Sequence, residues 1–202
     1  MGKAWVKDRK RDPYYRKAKE SGYRSRAAYK LFQIQERFQV IRRGNSVIDL
    51  GATPGGWSQV AKKLGAGRVL AVDKTFMEPV EGVTFVQVDL EDASALAAIQ
   101  ENMKTGADAV LSDMAPHLSG NRSLDQARSI DLAERGFIVA LRTLRKRGCF
   151  VTKIFQGDMY PPFKRKVQSH FTRSKGFTPP ASPRGSAEIY LVATGWQGPR
   201  SP

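Results

Sequence analysis

The sequence predicts an α/β fold in which a mostly parallel sheet carries helices on both faces. Three observations carry that prediction. From residue 46 onward, short apolar runs alternate with stretches of helical periodicity. A glycine-rich turn follows the first run, and acidic residues close the next ones. Strand–helix alternation is the pattern of a parallel sheet buried on both sides.

Taken in order, residues 1–22 are polar, basic and turn-forming, with Asp12-Pro13 and Ser21-Gly22, and are expected to be loosely ordered without a partner. Over 23–41 the spacing of Ala27, Ala28, Leu31, Ile34, Phe38 and Ile41 predicts a helix with one apolar face. Arg24, Arg26, Lys30 and Arg37 lie on or beside the other face. Tyr14, Tyr15, Tyr23 and Tyr29 interleave with this charge and offer stacking surfaces for bases, although helix-face aromatics also serve plain packing. Strands are expected at Ser46–Leu50, Val69–Val72, Val83–Val88, Ala109–Leu111 and Phe150–Ile154. Helices are expected at Trp57–Leu64, Ala93–Met103 and Leu124–Leu144. A helix around Pro162–Ser174 follows, then two runs near Gly176–Thr178 and Glu188–Thr194. No helix fits between those runs, so they form an antiparallel pair at the sheet edge. The organisation is a basic arm (1–22), one domain (23–196) and a short tail (197–202).

A chain of 202 residues suits one domain with a substantial core. No apolar stretch is long enough to span a bilayer, and no apolar segment follows the N-terminal charges, so a membrane protein and a secretory leader are not expected. One cysteine, Cys149, excludes an intrachain disulfide, and it enters a buried strand, which marks it as core. With only His117 and His170 besides, no metal centre is expected, and a cytoplasmic location follows. The charge is more telling. Residues 1–43 hold 14 Lys and Arg against four Asp and Glu, so +10 of the net +15 sits in the first fifth of the chain. Such a basic arm is the electrostatic footprint of a nucleic-acid binder, since phosphates supply affinity through counterion release.

Val47-Ile48-Asp49-Leu50-Gly51-Ala52-Thr53-Pro54-Gly55-Gly56-Trp57 reads as a strand, a tight turn and a helix start, with Thr53 and Pro54 suited to the N-cap and first helical positions. Glycines at this point let backbone approach a ligand closely. The turn is neither a Walker A loop nor G-x-G-x-x-G, which disfavours a nucleoside triphosphate and a dinucleotide. Asp73 ends the second predicted strand, 22 residues after Gly51, the interval at which such folds place a carboxylate on ribose hydroxyls. Asp89 ends the third, where an acceptor could take an adenine exocyclic N–H. An adenosine-containing ligand along the carboxyl ends of the strands follows. Three more charged groups arrive at strand ends: Asp113 after Ala109–Ser112, Lys153 inside Phe150–Phe155, and Glu188 opening the last run. A lysine in so apolar a run is costly unless paired, and Asp113 and Glu188 are its candidate partners.

Ser25-Arg26-Ala27-Ala28-Tyr29-Lys30-Leu31, Asp49–Gln59, Ser112-Asp113-Met114-Ala115-Pro116 and Val151-Thr152-Lys153-Ile154-Phe155 occur in an order that resembles the FtsJ/RrmJ (RlmE-type) family of ribosomal RNA 2′-O-methyltransferases. The resemblance spans residues 23–194. It implies a Rossmann-like class I methyltransferase fold with a seven-stranded sheet, and S-adenosylmethionine as cofactor. It implies a Lys-Asp-Lys-Glu tetrad at Lys30, Asp113, Lys153 and Glu188. It also implies cofactor contacts at Gly55, Trp57, Asp73, Asp89 and Asp113, to which Gly51 and Gly56 of the turn and Leu90 beside Asp89 are added. The partner implied is RNA, a uridine ribose of large-subunit (23S-type) rRNA, with no DNA or membrane partner and a monomeric enzyme. Transfer RNA is the alternative substrate, and a non-catalytic cofactor-binding assembly factor the alternative role. The acceptor oxygen must be aligned with the methyl and its proton removed or accommodated. Lys153 is expected either to act as general base or to steer the oxygen lone pair, with Asp113 and Glu188 orienting its amine.

Overall fold

The computed structural model describes residues 12–183 and 185–199. The first helix among these residues, α1 (Pro13–Glu20), falls inside the stretch expected to be loosely ordered. The reason lies in Asp12-Pro13, which reads as a turn but serves as a helix start. The Asp12 carboxylate accepts the N–H groups of Tyr14 at 2.9 Å and Tyr15 at 3.3 Å, and Pro13 takes the first helical position, where a missing N–H costs nothing. The same carboxylate pairs with Arg26, which ties α1 to the start of α2 (Ala27–Phe38). The rest of the basic arm, residues 1–11, lies outside the described residues.

Strand β1 (Ser46–Leu50) is buried along its whole length, as a central parallel strand must be. It is followed by α3 (Gly56–Lys63), β2 (Arg68–Asp73), β3 (Val83–Gln87), α4 (Ala95–Asn102), β4 (Ala107–Ser112), α5 (Arg122–Thr143) and β5 (Leu144–Phe155). Then come α6 (Tyr160–Gln168), β6 (Phe171–Phe177) and β7 (Glu188–Trp196). The sheet order is β3-β2-β1-β4-β5-β7-β6. Strands β1 to β5 are parallel, and β7 runs against both β5 and β6. The helix expected to reach Ser174 stops at Gln168, because residues from Phe171 pair with β7 in the register Phe171↔Trp196 to Phe177↔Tyr190. Edge pairing there overrides the local helical pattern.

Alternating residues along each strand feed two cores, one on each face. Ile48, Leu50, Leu70, Val110 and Phe150 pack with Ile99, Phe137 and Phe163 of α4, α5 and α6. Val47, Val69, Ala109, Leu111 and Val151 pack with Leu31 and Ile34 of α2 and with Trp57 and Val60 of α3. Cys149 is buried on this second face and its thiol donates to the Val40 carbonyl at 3.1 Å. Burial, then the Asp108 carboxylate, push that thiol up to about 12, so it is a packing residue as expected. The strand order reverses between β1 and β4, the switch point at which open α/β sheets bind ligands outside the carboxyl ends of their strands.

Phe150, fully buried in the sheet centre, gives a direct test of this packing. Phe150→Ala is expected to lose about 3–5 kcal/mol in denaturant unfolding. Ile138→Ala, at a position 52% exposed on α5, is expected to stay within about 0.5 kcal/mol. Similar losses at both positions would overturn the assignment of the core.

Candidate active site

At the switch point, the turn after β1 opens a cleft of about 830 Å³. Gly51, Asp73, Asp89, Leu90, Asp113 and Met114 line it, with Arg128, Asp131 and Arg135 contributed by α5. Gly51 has φ +72, and a Cβ there would lie 2.6 Å from Met114 Cγ, so only glycine lets the β1 turn and the β4 exit come this close. The Asp73 carboxylate is aimed by backbone. Its Oδ2 accepts the Thr53 N–H at 2.9 Å and its Oδ1 the Thr75 N–H at 2.8 Å. Asp89 lies two residues past the end of β3, where its Oδ1 accepts the Glu91 N–H at 3.1 Å and Lys74 faces Oδ2 at 3.4 Å.

Gly55, Gly56 and Trp57 are not among the residues lining this cleft. The helix is capped by Gly55 at φ 109, not by Thr53, whose N–H is held by Asp73; helical geometry begins at Gly56 rather than Pro54. A Cβ at Gly56 would run into the Ser25 hydroxyl. The Trp57 indole N–H donates to the Ala27 carbonyl at 2.8 Å. The second half of the glycine motif thus receives the chain that leads into α2.

On the other side of Asp113, four charges from four elements converge. Lys153 Nζ donates to Asp113 Oδ1 at 2.9 Å and to the Asp113 carbonyl at 2.5 Å. Lys30 Nζ pairs with Glu188 Oε1 at 2.5 Å, and the Ser182 hydroxyl donates to the same oxygen at 2.8 Å. The side chains of Lys30, Lys153 and Glu188 are 9% exposed, and that of Asp113, at 17%, is the most open. Burial pushes the Asp113 carboxyl up, but the charges of Lys153 and Lys30 and the Tyr190 hydroxyl outweigh it and hold the group below its ordinary range. Asp113 therefore stays ionised and belongs to both the cleft and the cluster. Among the described residues, no group of three His, Cys, Asp or Glu side chains could hold a metal ion.

A family model described as FtsJ-like methyltransferase matches residues 23–196. The chain belongs to that family. A Methanosarcina barkeri protein named ribosomal RNA large subunit methyltransferase E is 51% identical over 187 residues, covering 91% of this chain and 70% of that protein. A protein of the same name from Archaeoglobus fulgidus is 49% identical over 187 residues, covering 93% of this chain and 96% of its own. Among solved structures, a ribosomal RNA methyltransferase from Plasmodium falciparum superposes with a TM-score of 0.78 at 26% identity, over 88% of this chain and all of that one.

This FtsJ-like methyltransferase places two further groups at the site that the sequence left unassigned. Tyr190, fully buried, donates its hydroxyl to Asp113 Oδ1 at 2.5 Å, while Lys30 Nζ lies 5.8 Å from the centre of its ring. Burial, followed by the Asp113 and Glu188 charges, drives its phenol well above the ordinary range, so it remains a donor. The period-2 spacing from Glu188 would have placed it on the same face. Asp49 is 1% exposed in β1; the Ser58 hydroxyl donates to Oδ2 at 2.7 Å, and Oδ1 has no hydrogen-bond partner among the described residues. Its signal was a carboxylate inside an apolar run. Burial first, with the Ser58 bond opposing and the Asp113 and Asp73 charges adding, pushes Asp49 from 3.8 to about 7.

That shift fixes a sign. The unfolded chain releases the Asp49 proton near 3.8 and the folded chain near 7, so folding takes up a proton in between and this group's contribution falls as pH rises through that window. Asp49→Asn removes the effect. Relative to the unaltered protein, its unfolding free energy is expected to improve steadily from the acid to the neutral end of the window and then level off. A difference that stays constant with pH would refute the buried, proton-holding state.

Proposed function

We propose that this methyltransferase uses S-adenosylmethionine to methylate a ribose 2′-hydroxyl of RNA, a uridine of large-subunit (23S-type) rRNA. The observation that carries the reading is Asp113, which lines the cleft and also anchors the buried lysine–carboxylate cluster. One side chain thereby joins a place for a donor to a place for an acceptor oxygen. The names of the relatives support rRNA as the substrate, and the net charge of +15 supports an anionic partner. A monomer working in the cytoplasm fits this reading.

The donor set of the cleft fits an adenosine-bearing cofactor. Asp73, already oriented by two backbone N–H groups, would take the ribose hydroxyls, and Asp89 the exocyclic amine. Leu90 and Met114 offer apolar surface to a flat base, and Gly51 leaves room for close approach. When bound, S-adenosylmethionine supplies a methyl on a sulfonium, which is already electrophilic, so the chain's own residues need mainly to align the oxygen. A lysine ammonium has three N–H donors. Two of those on Lys153 are directed to Asp113, which leaves one for the incoming 2′-oxygen and turns that oxygen's lone pair toward the donor side. Lys30 and Glu188 hold the far wall of the same pocket. The hydroxyl proton leaves late, once bond formation has acidified it, and passes to solvent water.

Purified protein is to be given tritiated donor with large ribosomal subunits, free rRNA or bulk tRNA from cells lacking it, and the labelled nucleosides identified. A 2′-O-methyluridine from the large subunit or its rRNA is expected. Label confined to tRNA would move the target, label on a base would overturn the role of Lys153, and donor binding without transfer would favour an assembly factor. Lys153→Ala is expected to lose about 10²-fold or more in turnover while still binding the donor; near-normal turnover would sink the assignment.

A further inference from the structure

Arg24 is an exposed arginine in the most basic part of the described chain, where a phosphate contact is the ordinary expectation. Its guanidinium is instead engaged by three main-chain carbonyls. Nη1 donates to Glu78 O at 2.5 Å and to Pro54 O at 3.2 Å, and Nη2 donates to Pro79 O at 2.6 Å. Pro54 belongs to the glycine turn after β1. Glu78 and Pro79 belong to the loop between β2 and β3, the loop that Asp73 opens. These two loops form one wall of the cleft and are joined inside it by the Thr53–Asp73 bond. Arg24 joins them again from behind.

Its surroundings hold it there. The Arg24 N–H donates to Gln59 Oε1 at 2.9 Å, and Gln59 Nε2 donates to Gly22 O at 3.1 Å, fastening the segment to α3. Gly55 leaves space for the guanidinium, since a Cβ at its φ of +109 would lie 3.2 Å from Arg24 Nη1 and 3.2 Å from Met77 Sδ. A planar fork with donors on two nitrogens can span two loops; a lysine, with a single nitrogen on a flexible stem, cannot reproduce that geometry.

We infer that Arg24 is a positioning residue for the methyl donor, holding the glycine turn and the loop after Asp73 at the spacing that donor binding requires. The inference rests on the proposed reading of the cleft. It distinguishes Arg24 from a phosphate ligand, because three of its five N–H donors are already directed to carbonyls.

Arg24→Lys and Arg24→Ala, with the unaltered protein, are to be titrated with S-adenosylmethionine by calorimetry and with rRNA across a salt series. Both variants are expected to bind the donor about tenfold more weakly or worse, the equivalent of losing one charge-assisted hydrogen bond. The KM for the donor should rise in step while kcat at saturating donor changes little. The salt slope of RNA binding should stay as in the unaltered protein. Misfolding would lower the calorimetric stoichiometry rather than the affinity of the folded fraction, so it cannot imitate this result. Unchanged donor affinity, or full rescue by lysine, overturns the inference. So does a salt slope that falls by about one with donor affinity intact, which would mark Arg24 as a phosphate contact. If the unaltered protein itself does not bind the donor, the cleft reading fails as well.

Discussion

Lys153 and Asp113 meet across two neighbouring parallel strands, and the rest of the site is arranged around that pair. The register of β4 and β5 sets Ser112 opposite Thr152, so the next residue of each leaves the sheet beside the other. Two charges this poorly exposed carry a desolvation cost that their attraction offsets only if the remaining donors and acceptors are also filled. The Asp113 carbonyl takes a second Lys153 donor and the Tyr190 hydroxyl donates to Asp113, which leaves one Lys153 donor for a ligand. The need to satisfy that pair accounts for a buried tyrosine where an apolar residue would pack as well.

It also gives the reversed strand a purpose. In a parallel sheet, only the last residues of a strand reach the carboxyl edge. Because β7 runs the other way, its first residues reach that edge, and the register places Tyr190 opposite Lys153 and Glu188 opposite Phe155. Glu188 brings a second carboxylate, and Lys30 from α2 a second cation, so lysines and carboxylates pair off across the pocket. Tyr190 touches both pairs, its hydroxyl on one and its ring under the other. A uniformly parallel sheet of the same length could not assemble this set at one edge.

Much of this was legible in the sequence, because strand ends in an α/β alternation have a fixed destination. Asp73, Asp113 and Lys153 each close or interrupt an apolar run, and runs of that kind share one edge. What the sequence hid was long-range or ambiguous. Asp12-Pro13 is compatible with a turn and with a helix start, and the Arg26 partner lies 14 residues away. The start of β6 reads as helix until its pairing with β7 is known. Glycine signals close approach without naming what approaches, so the sequence did not show that Ser25 and Arg24 lie against Gly56 and Gly55 or that the Ala27 carbonyl accepts from Trp57. The four basic residues of the 23–41 stretch look alike in sequence, yet the structure directs Arg24 to carbonyls, Arg26 to Asp12 and the Ala181 carbonyl, Lys30 to Glu188, and Arg37 over the rings of Phe38 and Phe177.

That division of labour bears on how the proposed transfer is aligned. In-line attack tolerates displacements of only about 0.5 Å between donor and acceptor groups. The cleft proposed for the donor is built on the turn after β1, whereas Lys30 stands on a helix that begins outside the sheet. The sheet holds that helix through the packing of Leu31 and Ile34 and through the Lys30–Glu188 pair. The chain from Gly22 to Ala27 ties it to the turn as well, bonded to α3 through Gln59 and Trp57, to the glycine turn through Arg24, and continuing without interruption into the helix that carries Lys30. The glycine motif is therefore two-sided, with Gly51 lining the cleft and Gly55 to Gln59 touching the chain that leads into the helix of Lys30. A single short piece of backbone between them converts the position of one into the position of the other.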